Sequence, residues 1–106
     1  MVNPIVHRRL VEAARARWTV TVAEVAQAAG LSAGADDRKM LDLILDHIAD
    51  REAGGGRPLL PVLVVETAGR SPGAGLARYA RRTGLAAAAA FLSAELARVH
   101  AHWGSP

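Results

Sequence analysis

The stretch from Trp18 to Glu52 constrains the fold more than any other part of the chain. Thr21 and Glu24 stand three residues apart, the spacing at which a hydroxyl and a carboxylate satisfy the free N–H groups at a helix start. Val22, Val25, Ala26 and Ala29 follow at helical spacing and form an inner face. Gly30 then closes the helix in the left-handed conformation that glycine permits. Ala26 lies four residues before Gly30, where two crossing helices need a small residue. A second helix is predicted from about Asp37 to Ala53, with Met40, Leu41, Ile44, Leu45 and Ile48 as its buried stripe. Asp36 and Asp37 suit the positive end of its dipole, and Gly54-Gly55-Gly56 ends it. Helix, glycine turn, helix is the skeleton of a helix-turn-helix; an ordinary helix hairpin is the alternative. The link Ser32–Asp36 is longer than in the simplest such motif and matches winged-helix variants.

The flanks complete a mainly α chain with a small β element. Asn3-Pro4 reads as an N-cap with proline at the first helical position. Val6, Leu10, Ala13 and Arg17 then give a first helix over 4–17, with Ile5 and Val11 beside the stripe. Trp18-Thr-Val-Thr is β-branched enough for a short strand. Leu59 to Glu66 reads as the one strong strand, apolar on both faces, with Pro61 pointing to an edge or a strand start. Thr67 to Gly75 is rich in turn residues and resembles a wing or a loop holding Arg70. Leu76–Thr83 reads as a short helix broken by Gly84. Leu85–Trp103 reads as the last helix, led by alanines and striped by Leu92, Leu96, Val99 and Trp103. About five helices and one strong strand, with the short β-branched stretch at Trp18–Thr21 beside it, are expected in a single domain over 1–106.

Half the residues are hydrophobic and only four are aromatic, so the core must be built from Ala, Val and Leu. There is no cysteine, which removes disulfides, thiolate metal sites and cysteine nucleophiles and suits a cytoplasmic protein. No secretory leader pattern follows Arg8 and Arg9, and the longest apolar run, Leu85 to Leu92, is too short to span a bilayer. No catalytic constellation stands out, and a non-enzymatic protein without cofactor or metal is expected. His100 and His102 are two apart, so a helix points them in different directions, away from the i, i+4 spacing of zinc ligands. His7 and His47 are isolated and suit the surface or the core edge. Asp42 and Asp46 share a helix face that reads as solvated. Neither glycine-rich segment has the strand–loop–helix context of a phosphate cradle.

Charge is unevenly placed. Twelve of the thirteen basic residues are Arg, which reads first as the codon usage of a GC-rich genome and second as phosphate binding. Residues 36–52 hold six acids against Arg38, Lys39 and Arg51, so this second helix is repelled by phosphates. The chain as a whole carries +3, concentrated in the first twenty residues and in 67–106. If nucleic acid binds, the candidate contacts are Arg8 and Arg9 on the first helix, Arg38 and Lys39 at the start of the acidic helix, Arg70 in the loop, and Arg78, Arg81 and Arg82.

Residues 5–83 carry a resemblance. Val-Ala-Glu-Val-Ala-Gln-Ala-Ala-Gly, a helix with Arg38 near its start, Leu-Pro-Val-Leu-Val-Val and Gly-Arg-Ser-Pro-Gly-Ala-Gly-Leu occur in the order found in the alkylguanine-DNA alkyltransferases. They are also similar to the alkyltransferase-like relatives of that family. The resemblance implies a winged-helix-like DNA-binding domain with Arg38 supporting a flipped nucleotide. The family's active strand reads Pro-Cys-His-Arg-Val; here Pro61 and Val65 match its ends, but Val62, Leu63 and Val64 stand between. The acceptor thiol is absent, and alkyl transfer by that chemistry is excluded. Nearly the whole chain is also similar to small uncharacterised winged-helix-like domains of bacteria and phages, through Phe91, Glu95, Leu96, Arg98, Val99 and Trp103. Two functions are therefore expected: a nucleic-acid-binding or regulatory module, or a protein–protein interaction module on the same scaffold, such as a phage or defence accessory. The partner is DNA in the first case and a protein in the second, with no membrane in either.

Overall fold

The computed structural model describes residues 2–104 apart from Ala33 and Ala87. It is mostly helical with a minimal sheet. Helix α1 spans Pro4–Arg15, α2 Val22–Ala28, α3 Ala35–Gly54, α4 Ala77–Thr83 and α5 Ala89–Trp103. Strands β1 (Val20–Thr21) and β2 (Val64–Val65) pair in parallel, Val20 opposite Val64 and Thr21 opposite Val65.

The helix starts follow the chemistry of their caps. Asn3 Oδ1 accepts from the N–H groups of Ile5 (3.0 Å) and Val6 (3.1 Å), and Pro4 occupies the first turn, where no N–H is missed. At α2, Thr21 Oγ1 accepts from the Glu24 N–H at 3.1 Å, and Glu24 reaches back to the Thr21 N–H. Gly30 takes φ +73°, and the Leu31 N–H bonds back to the Ala26 carbonyl at 2.8 Å. The capping box and the glycine close are both as expected.

The strand predicted over 59–66 is instead a 3₁₀ turn at Leu60–Leu63 followed by the two residues of β2. Pro61 lacks the N–H that a ladder needs, and its fixed φ suits the tighter turn, in which the Val62 N–H bonds to the Leu59 carbonyl at 3.0 Å. The apolar run has a different cause from the one assumed. Residues 59–65 are all buried, because this segment crosses the middle of the molecule. The turn packs against α1, α3 and α5. Val6, Leu10, Ala13, Leu41, Leu45, Ile48 and Val99 complete the core around it, which is aliphatic as the composition requires. Gly75 is what lets the following segment approach, since a Cβ there would run into the Pro61 carbonyl and Val64.

The short strand read in Trp18-Thr-Val-Thr is β1. Two further expectations are corrected. The last helix begins at Ala89, not Leu85. Gly84 at φ +74° ends α4, and the Leu85 N–H is spent on the Ala80 carbonyl, so the alanine lead is partly linker; Ala87 lies outside the described residues. Met40, placed in the buried stripe of α3, is 49% exposed, while its neighbour Leu41 is fully buried.

Candidate functional site

Between α2, the link after Gly30 and the first turns of α3 lies a cleft of ≈ 570 Å³. Its apolar floor is Val22, Ala26, Leu31 and Leu41, with Ala23 on the α2 side. Ala26, expected where the helices cross closely, is buried in the core at 9% exposure and also borders this cleft. Ser32 donates to Asp37 Oδ2 through its N–H (2.6 Å) and its hydroxyl (2.7 Å), fixing the link against the start of α3. The Ser32 hydroxyl, and then its amide, hold the Asp37 carboxyl below the usual range.

The far wall is an ion pair. Arg38 donates to Glu66, just past β2, in a fork of 2.8 and 3.2 Å, and its Nε donates to Asp42 at 3.2 Å. The Arg38 guanidinium lowers the Glu66 carboxyl, and Glu66 raises Arg38 in turn. Arg38 thus sits where its place in the sequence suggests, at the mouth of the cleft, but both edges of its guanidinium are occupied by carboxylates.

The other candidate cations divide into two groups. Arg78 and Arg82 turn inward on α3: Arg78 Nε lies 3.1 Å from Asp46, while Arg82 bonds both oxygens of Asp46 and reaches Asp50 at 2.9 Å. Asp46 is only 2% exposed, so the solvated face expected for Asp42 and Asp46 is corrected: Asp46 is the buried anchor of α4. Arg82, with Arg78 behind it, holds the Asp46 carboxyl low against the opposing effect of burial. Arg9 is paired with Glu24 at 3.0 Å. Arg8, Lys39, Arg70 and Arg81 are exposed and have no carboxylate partner among the described residues.

Two more buried carboxylates are structural. Glu52, 1% exposed, accepts from Arg57 and lies 2.8 Å from His7 Nε2, which places His7 at the core edge. Glu95, 3% exposed, accepts the Leu59 N–H at 2.8 Å and pairs with Arg98, tying α5 to the central segment. Among the described residues no group of three or more His, Asp or Glu is placed to hold a metal ion. No helix among them is long and apolar enough to cross a membrane.

Sequence reasoning reached Arg38 but missed the cleft, because Leu31 and Val22 look like ordinary core residues and Glu66 like a strand end. The available signals were the long link and the Ser32–Asp37 spacing. No protein-family model, no curated protein and no solved structure matches this chain.

Proposed function

We propose that this chain is a non-enzymatic protein-interaction module on a winged-helix-like scaffold, docking an apolar, cation-flanked segment of a protein partner in the α2–α3 cleft. The observation that carries this reading is the cleft itself: an apolar floor large enough for bulky side chains, with Asp37 and Glu66 at a rim where Arg38 is the one cation among the described lining residues. Exposed Asp36, beside Asp37 in the first turn of α3, adds to the negative side of that rim and favours a cationic partner.

Nuclear magnetic resonance titration tests the reading. A synthetic peptide carrying Trp and Leu between arginines should shift the methyl signals of Val22, Leu31 and Leu41, and its analogue with glutamates in place of arginines should not. Unmoved cleft methyls with both peptides would remove the reading.

Nucleic-acid binding is the second reading, supported by the exposed and unpaired Arg8, Lys39, Arg70 and Arg81. A mobility-shift series across salt separates the two, since each phosphate contact adds about 0.9 to the salt slope. The informative variant is Arg81→Glu. Reversing Arg78 or Arg82 would set a second carboxylate against buried Asp46 and unfold the seam.

A further inference from the structure

Four helices end on a left-handed residue whose following amide bonds back into the helix. Three use glycine: Gly30 after α2, Gly56 after α3 and Gly84 after α4, with φ between +71° and +74°. After α1 the same position is taken by Arg17 at φ +60°, the one non-glycine residue with positive φ among those described. The geometry is otherwise the same, with the Arg17 N–H on the Ala14 carbonyl (3.1 Å) and the Trp18 N–H on the Ala13 carbonyl (2.8 Å). A side chain is strained here and glycine is not.

The strained turn presents Trp18, which is 66% exposed, more than any other large hydrophobic residue described. Exposed Arg15 and Arg17 flank it. The turn is also held from behind, where the Trp18 carbonyl faces His100 Nε2 at 3.4 Å. Trp and Arg are the side chains that most often anchor protein contacts, and a fixed turn presents them without ordering cost. Apolar knob, cationic flanks and rigid backing are the complement of the α2–α3 cleft, with its apolar floor and its acidic Asp37 and Glu66. Trp18 does not line the cleft of its own chain. It stands four residues before Val22, so the two Cα atoms are at most ~14 Å apart, and knob and cleft can both adjoin one two-fold axis.

We propose that two copies of this chain pair by inserting the Trp18 turn of each into the α2–α3 cleft of the other. The proposal rests on reading the cleft as a protein-docking surface and names its occupant.

Sedimentation equilibrium of the full chain from low micromolar to near-millimolar concentration tests it. A reversible monomer–dimer equilibrium is expected. Trp18→Ala should weaken pairing at least ~10-fold, as expected for loss of an anchor aromatic. Ala23→Trp, at an exposed position on the cleft wall, should weaken it comparably by filling the site. Circular dichroism of both variants should match the wild type, since neither position is in the core. Mixing the two variants restores one intact contact, the free Trp18 of one in the open cleft of the other, and heterodimer should form more readily than either homodimer. In a Trp103→Phe background, Trp18 fluorescence should move to shorter wavelength as concentration rises. A wild type that stays monomeric throughout overturns the proposal, as does a dimer that survives both variants. If the wild type is monomeric while the Trp-Leu-Arg peptide still shifts the cleft methyls, pairing is wrong and the docking reading stands.

Discussion

The N-terminal half of α3 borders an open cleft, whereas its C-terminal half is closed against α4 by ion pairs. At the closed end Asp46 is buried and takes Arg78 and Arg82 together, so charges that look like a surface are spent inside the fold. At the open end Val22, Leu31 and Leu41 look like core, yet they line a space that no side chain among the described residues fills. One helix thus uses charge to seal and apolar surface to stay open. Net charge along a helix therefore says little about its exposed potential until the partners on neighbouring elements are known.

The sharpest way to break this comparison is to unpair the closed end. The double variant Arg78→Ala, Arg82→Ala leaves the Asp46 carboxylate buried without a cation. It should lose about 3 kcal/mol in urea unfolding, at the lower end of the range for an orphaned buried charge because both arginines are half exposed. An unchanged midpoint would mean that the seam holds nothing together.

Acid acts on the same pairs more gently. Asp46 and Glu66 are held below their ordinary values in the folded state, so each contributes stability that is present above the unfolded value of about 4 and is lost as pH falls through its folded value. Unfolding midpoints followed down from neutral pH should therefore drop below pH ~4. Asp46→Asn should show a shallower drop from a lower starting point. An equally steep fall in that variant would assign the acid sensitivity to other carboxylates.

The open end predicts tolerance instead. Overpacking a buried site costs roughly 1–3 kcal/mol, but buried Ala26 borders the cleft, which has room for a larger side chain, so Ala26→Leu should lower stability by less than about 1 kcal/mol and abolish peptide binding. A large loss of melting temperature would show that the helices do cross tightly there. Smallest of all, Arg17→Gly should raise stability by about 0.5–1 kcal/mol. Relief of the left-handed strain exceeds the extra freedom of the unfolded chain, and calorimetry on matched samples resolves the sign.

The sequence made local chemistry legible and tertiary context much less so. The Asn3 cap, the Thr21–Glu24 box and the Gly30 close depend on residues within a few positions of one another, and each is where its spacing placed it. The 59–66 segment was misread because a centrally buried 3₁₀ turn and a buried strand share one apolar pattern, and periodicity cannot separate them. Asp46 was misread because its partners lie more than thirty residues away on α4. Arg38 was placed correctly at the start of α3, but its capture by Glu66 depends on where β2 ends, which no local signal encodes. The cleft is lined from α2, the link after Gly30, α3 and Glu66, and how those four come together is not written in any local stretch of the chain.

The central position of residues 60–65 has a consequence for how the chain comes off the ribosome. Helices α1 to α3 are complete by Gly54, yet the segment their apolar faces close around is synthesised only afterwards. Until Leu60–Val65 emerges, Leu10, Leu41 and Ile48 have no central layer to pack on, and Val20 has no strand partner. The parallel β1–β2 bridge joins two distant stretches, and such pairings form late because a long loop must close first. The nascent N-terminal half is accordingly sticky for several seconds of synthesis, and the cleft between α2 and α3 takes its final shape only when β2 arrives to hold Glu66 against Arg38.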